Sequence, residues 1–358
     1  MSDNAIRDRS LCYRVFGEHT GLRVSEVILG TGNFGTRWGH GSTPDASSKI
    51  LDAYADAGGN FLDTADSYQF GESEEILGRL LQGRRDEFVL ATKFTQRADP
   101  TAGILVTGNS RKAMVSSVEQ SLRRLQTDHI DLLWAHYSDG VTPVEELLRG
   151  FDDLAREGKI LYAGLSDFPA WRVARAATIA EIRGTLPIAA LQFEHSLVER
   201  TAEAELVQAG KALGLGLAAW SPLGGGVLTG KYRDGATGRA QGFGGKVFQP
   251  ENSTQRTAIL DEVIAVAKEV GATPGEVAIA WVAAQGVTPI IGPRSVEQLQ
   301  SNLAALVVDL SPEQLSRLDA VSAPAPVFPY TLLDDPDNQQ RITGGQLARF
   351  DRPTVPVA

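Results

Sequence analysis

Eight apolar runs of strand length alternate along this chain with segments of helical periodicity, and few architectures accept that order. The runs cover residues 27–30, 60–63, 88–93, 130–136, 160–166, 189–192, 216–220 and 288–291. They lack clean polar alternation, as strands covered on both faces do. Between them lie amphipathic stripes: Met114, Val118, Leu122 and Leu125; Val144, Leu147, Leu148, Phe151 and Leu154; Val296, Leu299, Leu303 and Leu306. Eight strand–helix units predict an α/β fold, a parallel (β/α)8 TIM barrel, with a doubly wound sheet as the runner-up.

Punctuation agrees with this order. Gly58-Gly59, Gly158 and Gly214 each follow a helical pattern, where a left-handed cap is expected. Ser311, Pro312 and Gln314 predict the start of a last helix through a capping box. Three segments fall outside the repeat. Residues 11–26 read as an N-terminal hairpin turning at Glu18 to Gly21, placed to plug the barrel floor. Residues 222–255 form a long Gly-rich loop after strand 7, a length usually kept for function. Residues 322–358 carry six prolines and are read as a tail without regular helix, wrapped on the surface. The whole of 1–358 is expected to be one barrel domain with extra helices, its core running from about 23 to 321.

Composition narrows the partners. A net charge of -10 argues against nucleic acid. The single cysteine, Cys12, excludes an internal disulfide. The N-terminal MSDNAIRDRS lacks a signal-peptide core, and no apolar run reaches the roughly 18 residues of a membrane span. A cytoplasmic protein with no membrane partner and no metal site is expected; association into an oligomer is left open.

One motif misleads. Gly30-Thr-Gly-Asn-Phe-Gly35 matches the glycine pattern of dinucleotide-binding turns, and Asp63 ends the next strand. That reading requires a helix opening at the second glycine, yet helical spacing begins only after Pro44. Gly32 and Asn33 are instead assigned to a surface where a ligand lies close to a strand end.

Four polar residues sit just past three consecutive apolar runs: Asp63 and Tyr68, then Lys93, then His136. A barrel gathers its strand ends on one rim. A phenol, with a reference pKa of about 10, needs a nearby positive charge to act as a proton donor. Lys93 supplies it, Asp63 pairs with the buried ammonium, and His136 can hydrogen-bond a substrate oxygen. Each residue alone has an ordinary explanation, as a surface tyrosine, a solvent-facing lysine or a strand-end histidine. Their joint position at one end of sequential strands points to protonation of a carbonyl oxygen as its carbon is attacked.

At these residues the chain resembles the aldo-keto reductases. The resemblance runs from about Arg23 to Val321 and rests on FLDTADSYQFGESEEILGRLL, HYSDGVTPVEELLRGFDDLAREGKILYAGLSD, AAWSPLGGGVLTGKY and PIIGPRSVEQLQSNL, in that order. It implies a barrel that reduces aldehydes or ketones to alcohols with NADPH, reversibly. Tyr68 is then the general acid, tuned by Lys93 and Asp63, and His136 orients the carbonyl. Ser166, Asp167 and Gln192 match the carboxamide positions, and Trp220 matches the aromatic that stacks on the nicotinamide. Ser221, Leu223, Gly225 and Lys231 match the pyrophosphate loop. Gly292, Arg294, Ser295, Gln298 and Asn302 match the adenosine phosphate site.

The residues themselves agree in part. An indole offers a broad face, and Leu223-Gly-Gly-Gly226 removes side chains where backbone amides would meet phosphate. Arg294 before a helix start suits a 2′-phosphate, which favours NADPH over NADH. Asp167 departs from the family's usual asparagine; a carboxylate accepts from the carboxamide NH2 but cannot donate to its oxygen. Trp38 and Tyr137 are expected to line the pocket of a small-molecule carbonyl or alcohol substrate.

Two other readings compete. One is a cofactor-binding regulatory subunit of a larger assembly; only about 22 residues precede the matched region, which weighs against a gating segment. The other is a lyase using Lys93 as a Schiff base, which needs an unpaired lysine.

Overall fold

The computed structural model describes residues 10–233 and 248–351, together with 353 and 357. Strands β1 (Tyr13–Val15) and β2 (Arg23–Ser25) form the antiparallel hairpin that the sequence suggests. Next come β3 (Ile28–Gly30), β4 (Phe61–Asp63), β5 (Val89–Phe94) and β6 (Ile130–Ala135). They are followed by β7 (Ile160–Ser166), β8 (Ile188–Glu194), β9 (Gly216–Trp220) and β10 (Thr288–Ile291). These eight are parallel neighbours in chain order, and β10 pairs with both β9 and β3, so the sheet closes. This is the (β/α)8 barrel. Edges shift by a residue or two from the apolar runs, because pairing carries the ladder past them. Glu194, for example, lies opposite Trp220.

Alternation along each strand separates two cores. Leu29, Leu62, Leu90, Leu133, Leu165, Leu191 and Ala219 face the helices. Ile28, Phe61, Val89, Ala91, Leu132, Trp134, Ala190, Ala218 and Ile290 fill the barrel. Phe16 and Val24 of the hairpin join this inner core from below, with the Phe16 ring edge-on to Phe61 at 5.2 Å. The hairpin is therefore the floor plug. Trp134 needs room across the barrel. Gly164 provides it, since a Cβ there would stand 2.5 Å from the indole.

The helices ring the barrel: α1 (Pro44–Asp56), α2 (Glu72–Leu80), α3 (Arg111–Leu125), α4 (Val144–Arg156), α5 (Ala170–Arg183) and α6 (Leu206–Ala212). Two helices, α7 (Thr254–Val270) and α8 (Pro274–Ala284), separate β9 from β10. Two more, α9 (Val296–Ala304) and α10 (Pro312–Ser322), follow β10. Helix α1 starts at Pro44 behind the Thr43 cap, well past Gly35, so the glycine motif opens no helix. Helix α10 starts with the expected box: Ser311 Oγ accepts from Gln314 N–H, and Gln314 returns to Ser311 N–H. Gly58, Gly158 and Gly214 are all left-handed.

The tail corrects the sequence reading. It contains two short helices, α11 (Tyr330–Leu333) and α12 (Pro336–Ile342). Pro329 and Pro336 sit at helix starts, where the missing N–H costs nothing, so they initiate turns rather than prevent them. Of the long 222–255 loop, residues 234–247 lie outside the described residues. Among the described residues no helix is long and apolar enough to cross a membrane.

Candidate active site

Counting by twos along each strand brings the polar residues into one layer. Asp63, Lys93, Ser166, Gln192 and Trp220 each carry the inward parity at the C-terminal end of their strands. His136 continues that parity one residue beyond β6. In a barrel that end is the open mouth.

Lys93 is at the centre and fully buried. Its Nζ pairs with Asp63 Oδ2. It also donates to Thr64 O at 2.8 Å and to the Tyr68 hydroxyl oxygen at 3.1 Å. The three protons of the ammonium are thereby used. Burial lowers the Lys93 pKa, but the charge of Asp63, then Tyr68 and their hydrogen bonds outweigh it, so it stands above its ordinary value. Asp63 is held from the other side by Gln192, whose Nε2 donates to Oδ1 at 3.1 Å.

The His136 ring meets the Tyr68 ring edge-on at 5.9 Å. Burial and then the Lys93 charge hold the imidazole well below its usual pKa, so it is neutral. Its Nδ1 is buried and has no hydrogen-bond partner among the described residues. The mouth therefore presents a phenol backed by an ammonium and a neutral imidazole, the donor pair a carbonyl oxygen needs.

Residues around the four fall into place. Gly32 lies against the Tyr68 ring, a Cβ there standing 3.5 Å away. Trp38 approaches that ring edge-on at 6.0 Å, and Tyr137 lies 5.2 Å from the His136 ring. Asn33 Nδ2 donates to Gly292 O at 2.7 Å and ties the loop after β3 to the one after β10. Ser166, Asp167, Gln192 and Trp220 form the opposite wall, where Trp220 Nε1 donates to Asp167 Oδ1 at 3.1 Å.

Further along the rim lie the turns that follow β9 and β10. Ser221, Gly225 and Gly226 are left-handed, at φ 55°, 66° and 94°. Side chains of ordinary size would be strained there. The Leu223 side chain packs against the main core. Ser295, Gln298 and Asn302 share one face of α9. Ser295 caps that helix at Gln298 N–H, and Gln298 Oε1 accepts from Arg294 N–H at 2.9 Å.

Burial and then the nearby Arg294 charge lower the Lys231 pKa. Arg294 has no carboxylate partner among the described residues. Lys231 and Arg294 thus lie near each other, with Lys231 Nζ beside Gly226. These cations and the backbone of the glycine turn are donors of the kind an anionic group takes. Among the described residues no group of three or more His, Cys, Asp or Glu is placed to hold a metal.

Three further groups at the mouth went unnoticed in the sequence. Glu194 lies on the inner face above Gln192. Burial raises its carboxyl to about 7, while Gln249, donating to Oε1 at 2.9 Å, pulls it down. A count of two from Gln192 would have found it. Phe248 lies 5.9 Å from the Trp220 ring, and no local pattern announces it. Gln69 and Phe70 follow Tyr68 in left-handed conformations. The Gln69 amide donates to Gly32 O and His40 O and accepts from Trp38 N–H, fastening the loop that carries Trp38.

Residues 26–323 match the model of the aldo/keto reductase family. The chain is similar to an aryl-alcohol dehydrogenase (NADP+) of Phanerodontia chrysosporium, with 35% identity over 90% of this chain and 89% of that one. It is similar to an uncharacterized oxidoreductase of Bacillus subtilis, with 38% identity over 84% and 93% of the two chains. It also resembles a norsolorinic acid reductase of Aspergillus flavus, with 35% identity over 91% and 85%. With its closed barrel and a family match spanning the eight strands, this chain belongs to the aldo/keto reductase family of oxidoreductases.

Proposed function

We propose that this protein is an NADPH-dependent reductase of aromatic aldehydes or ketones that also runs as an aryl-alcohol dehydrogenase, with Tyr68 as its general acid. The observation that carries the reading is the buried Lys93 ammonium, held by Asp63 and donating to the Tyr68 oxygen at 3.1 Å beside a neutral His136. Lys93 stabilises the phenolate that remains after Tyr68 gives up its proton. As a neutral imidazole, His136 offers one N–H to the same substrate oxygen. Together they stabilise negative charge on that oxygen and deliver the proton that completes the alcohol.

When bound, NADPH would supply the hydride. Ser166, Asp167, Gln192 and Trp220 would hold its nicotinamide; the turn from Ser221 to Lys231 would hold the pyrophosphate. The residues from Gly292 to Asn302, Arg294 above all, would hold the adenosine phosphate. The aromatic substrate class is supported by the rings that border the mouth, Trp38, Tyr137 and Phe248, and by the named activity of the aryl-alcohol dehydrogenase that the chain is similar to. A Schiff-base role for Lys93 is disfavoured, since its three N–H bonds are taken and no lone pair is free.

The test is NADPH oxidation with a series of benzaldehydes and aryl ketones. Tyr68→Phe is expected to bind NADPH as the parent does and to lose about 10²–10⁴-fold in kcat, the usual worth of a positioned acid. Undiminished turnover in that variant would remove the role of Tyr68.

A further inference from the structure

Asp167, the departure from the family's asparagine, has a partner two strands away. The residue follows β7 in the left-handed region, at φ 49°, and its N–H donates to Gln192 O at 3.0 Å. This backbone carries the carboxyl over the strand ends. There Oδ1 accepts the indole N–H of Trp220 at 3.1 Å, and Ser166 Oγ donates to Oδ2 at 3.5 Å. Trp220 is the last inward residue of β9, partly buried, packed on the inner core from below and on Phe248 at one side. The indole N–H is a donor only, so the hydrogen bond to Asp167 fixes both the position and the tilt of the ring. A carboxylate makes that bond stronger than an amide oxygen does.

We propose that Asp167 is a positioning residue: it locks the Trp220 indole in the plane needed to stack on the nicotinamide, and for this it gives up the donor that asparagine would offer the carboxamide oxygen. The proposal rests on the cofactor reading above and adds a pH dependence to it. As a neutral acid, Asp167 keeps one oxygen for the indole and gains an O–H for the carboxamide oxygen. As a carboxylate it offers acceptors only. Burial raises this carboxyl to about 6, against the Trp220 hydrogen bond, the Lys93 charge and the Ser166 hydroxyl, which lower it. The titratable and charged groups that face it are Lys93 from β5, Tyr137 after β6 and Glu194 from β8. Nicotinamide affinity therefore weakens as pH rises through about 6.

NADPH binding, followed by the change in its own emission, tests this with Asp167→Asn, Asp167→Ala, Trp220→Phe and the Asp167→Ala/Trp220→Phe double variant between pH 5 and 8. Circular dichroism first confirms that each variant is folded. The Asn variant is expected to bind about 3–10-fold tighter than the parent at pH 8 and within about twofold of it at pH 5, the worth of one hydrogen bond. The 2′-phosphate and Glu194 titrate in both proteins, so the ratio isolates Asp167. At pH 8 Asp167→Ala should weaken binding several-fold when Trp220 is present and by less than about twofold when it is Phe.

A ratio that stays constant with pH, or an equal loss in both backgrounds, overturns the proposal. If the parent protein binds neither NADPH nor NADH at any pH, the cofactor reading itself fails.

Discussion

Lys93 shows how one side chain organises several others. An ammonium without water must have its three protons accepted, and Asp63, Thr64 O and Tyr68 accept them. Asp63 is in turn fixed by Gln192 across the barrel. Remove the carboxylate and the ammonium is left buried without its counter-charge. Asp63→Ala is expected to cost about 3–5 kcal/mol of stability, as breaking one side of a buried pair does. Urea unfolding measures it. A loss below about 1 kcal/mol would mean that water or a neutral lysine compensates. The same residue explains why the dinucleotide motif failed: the acid that would have met a ribose is committed to Lys93.

At the scale of elements, the proposed preference for NADPH rests on the start of α9. The helix is short, and Ser295 and Gln298 already satisfy part of its first turn. That leaves the Arg294 guanidinium, with Lys231 near it in the turn after β9, as the charge offered to the proposed cofactor's 2′-phosphate. Arg294→Ala is expected to weaken NADPH by about 10–100-fold, the worth of a charge-assisted bond, and NADH by less than about threefold. Fluorescence titration with both nicotinamides checks this; equal losses would remove the phosphate role. The strained turn at Gln69 and Phe70 is a second local device. Left-handed non-glycine residues cost roughly 1–3 kcal/mol, and here the Gln69 amide bonds to the loop bearing Trp38.

For the whole molecule, the buried ionisable groups set how stability follows pH. Asp66, between β4 and α2, accepts from Ser117 Oγ at 2.7 Å, while its other oxygen has no hydrogen-bond partner among the described residues. Burial and then the Glu74 charge raise its carboxyl from 3.8 to about 7, against Ser117, Arg124 and Arg97. Between those two values the folded chain keeps a proton that the unfolded chain has lost. Stability from this group is full below the lower value and is lost as pH rises through about 7. Asp167 and Glu194 act in the same sense. His136 acts in the opposite one: its native pKa is depressed, so stability is lost as pH falls below the ordinary imidazole value. Asp66→Asn should flatten the carboxyl contribution. The variant is expected to gain about 1–3 kcal/mol on the parent between pH 5 and pH 8, read from urea midpoints. Parallel profiles for the two proteins would show that Asp66 is ionised throughout.

The chain's local order pointed to the barrel and left a doubly wound sheet as the runner-up; the pairing of β10 with β3 decided between them. Strand-length apolar runs and helical stripes are set by neighbours a few residues apart, and the period-2 count places Asp63, Lys93, Gln192 and Trp220 on one face of their strands. Caps such as Ser311 with Gln314 are local too. Tertiary structure decided the contacts between distant segments: Phe248 on Trp220, Gln249 on Glu194, Asp167 on the indole, Arg294 opposite Lys231. It also allowed helix in a proline-rich tail. No periodicity announces such pairs, because they arise when barrel closure brings the far end of one loop over the last residue of another strand. The layer of polar strand ends is a property of alternation, whereas the charge state and orientation of each member depend on what the closed fold buries beside it.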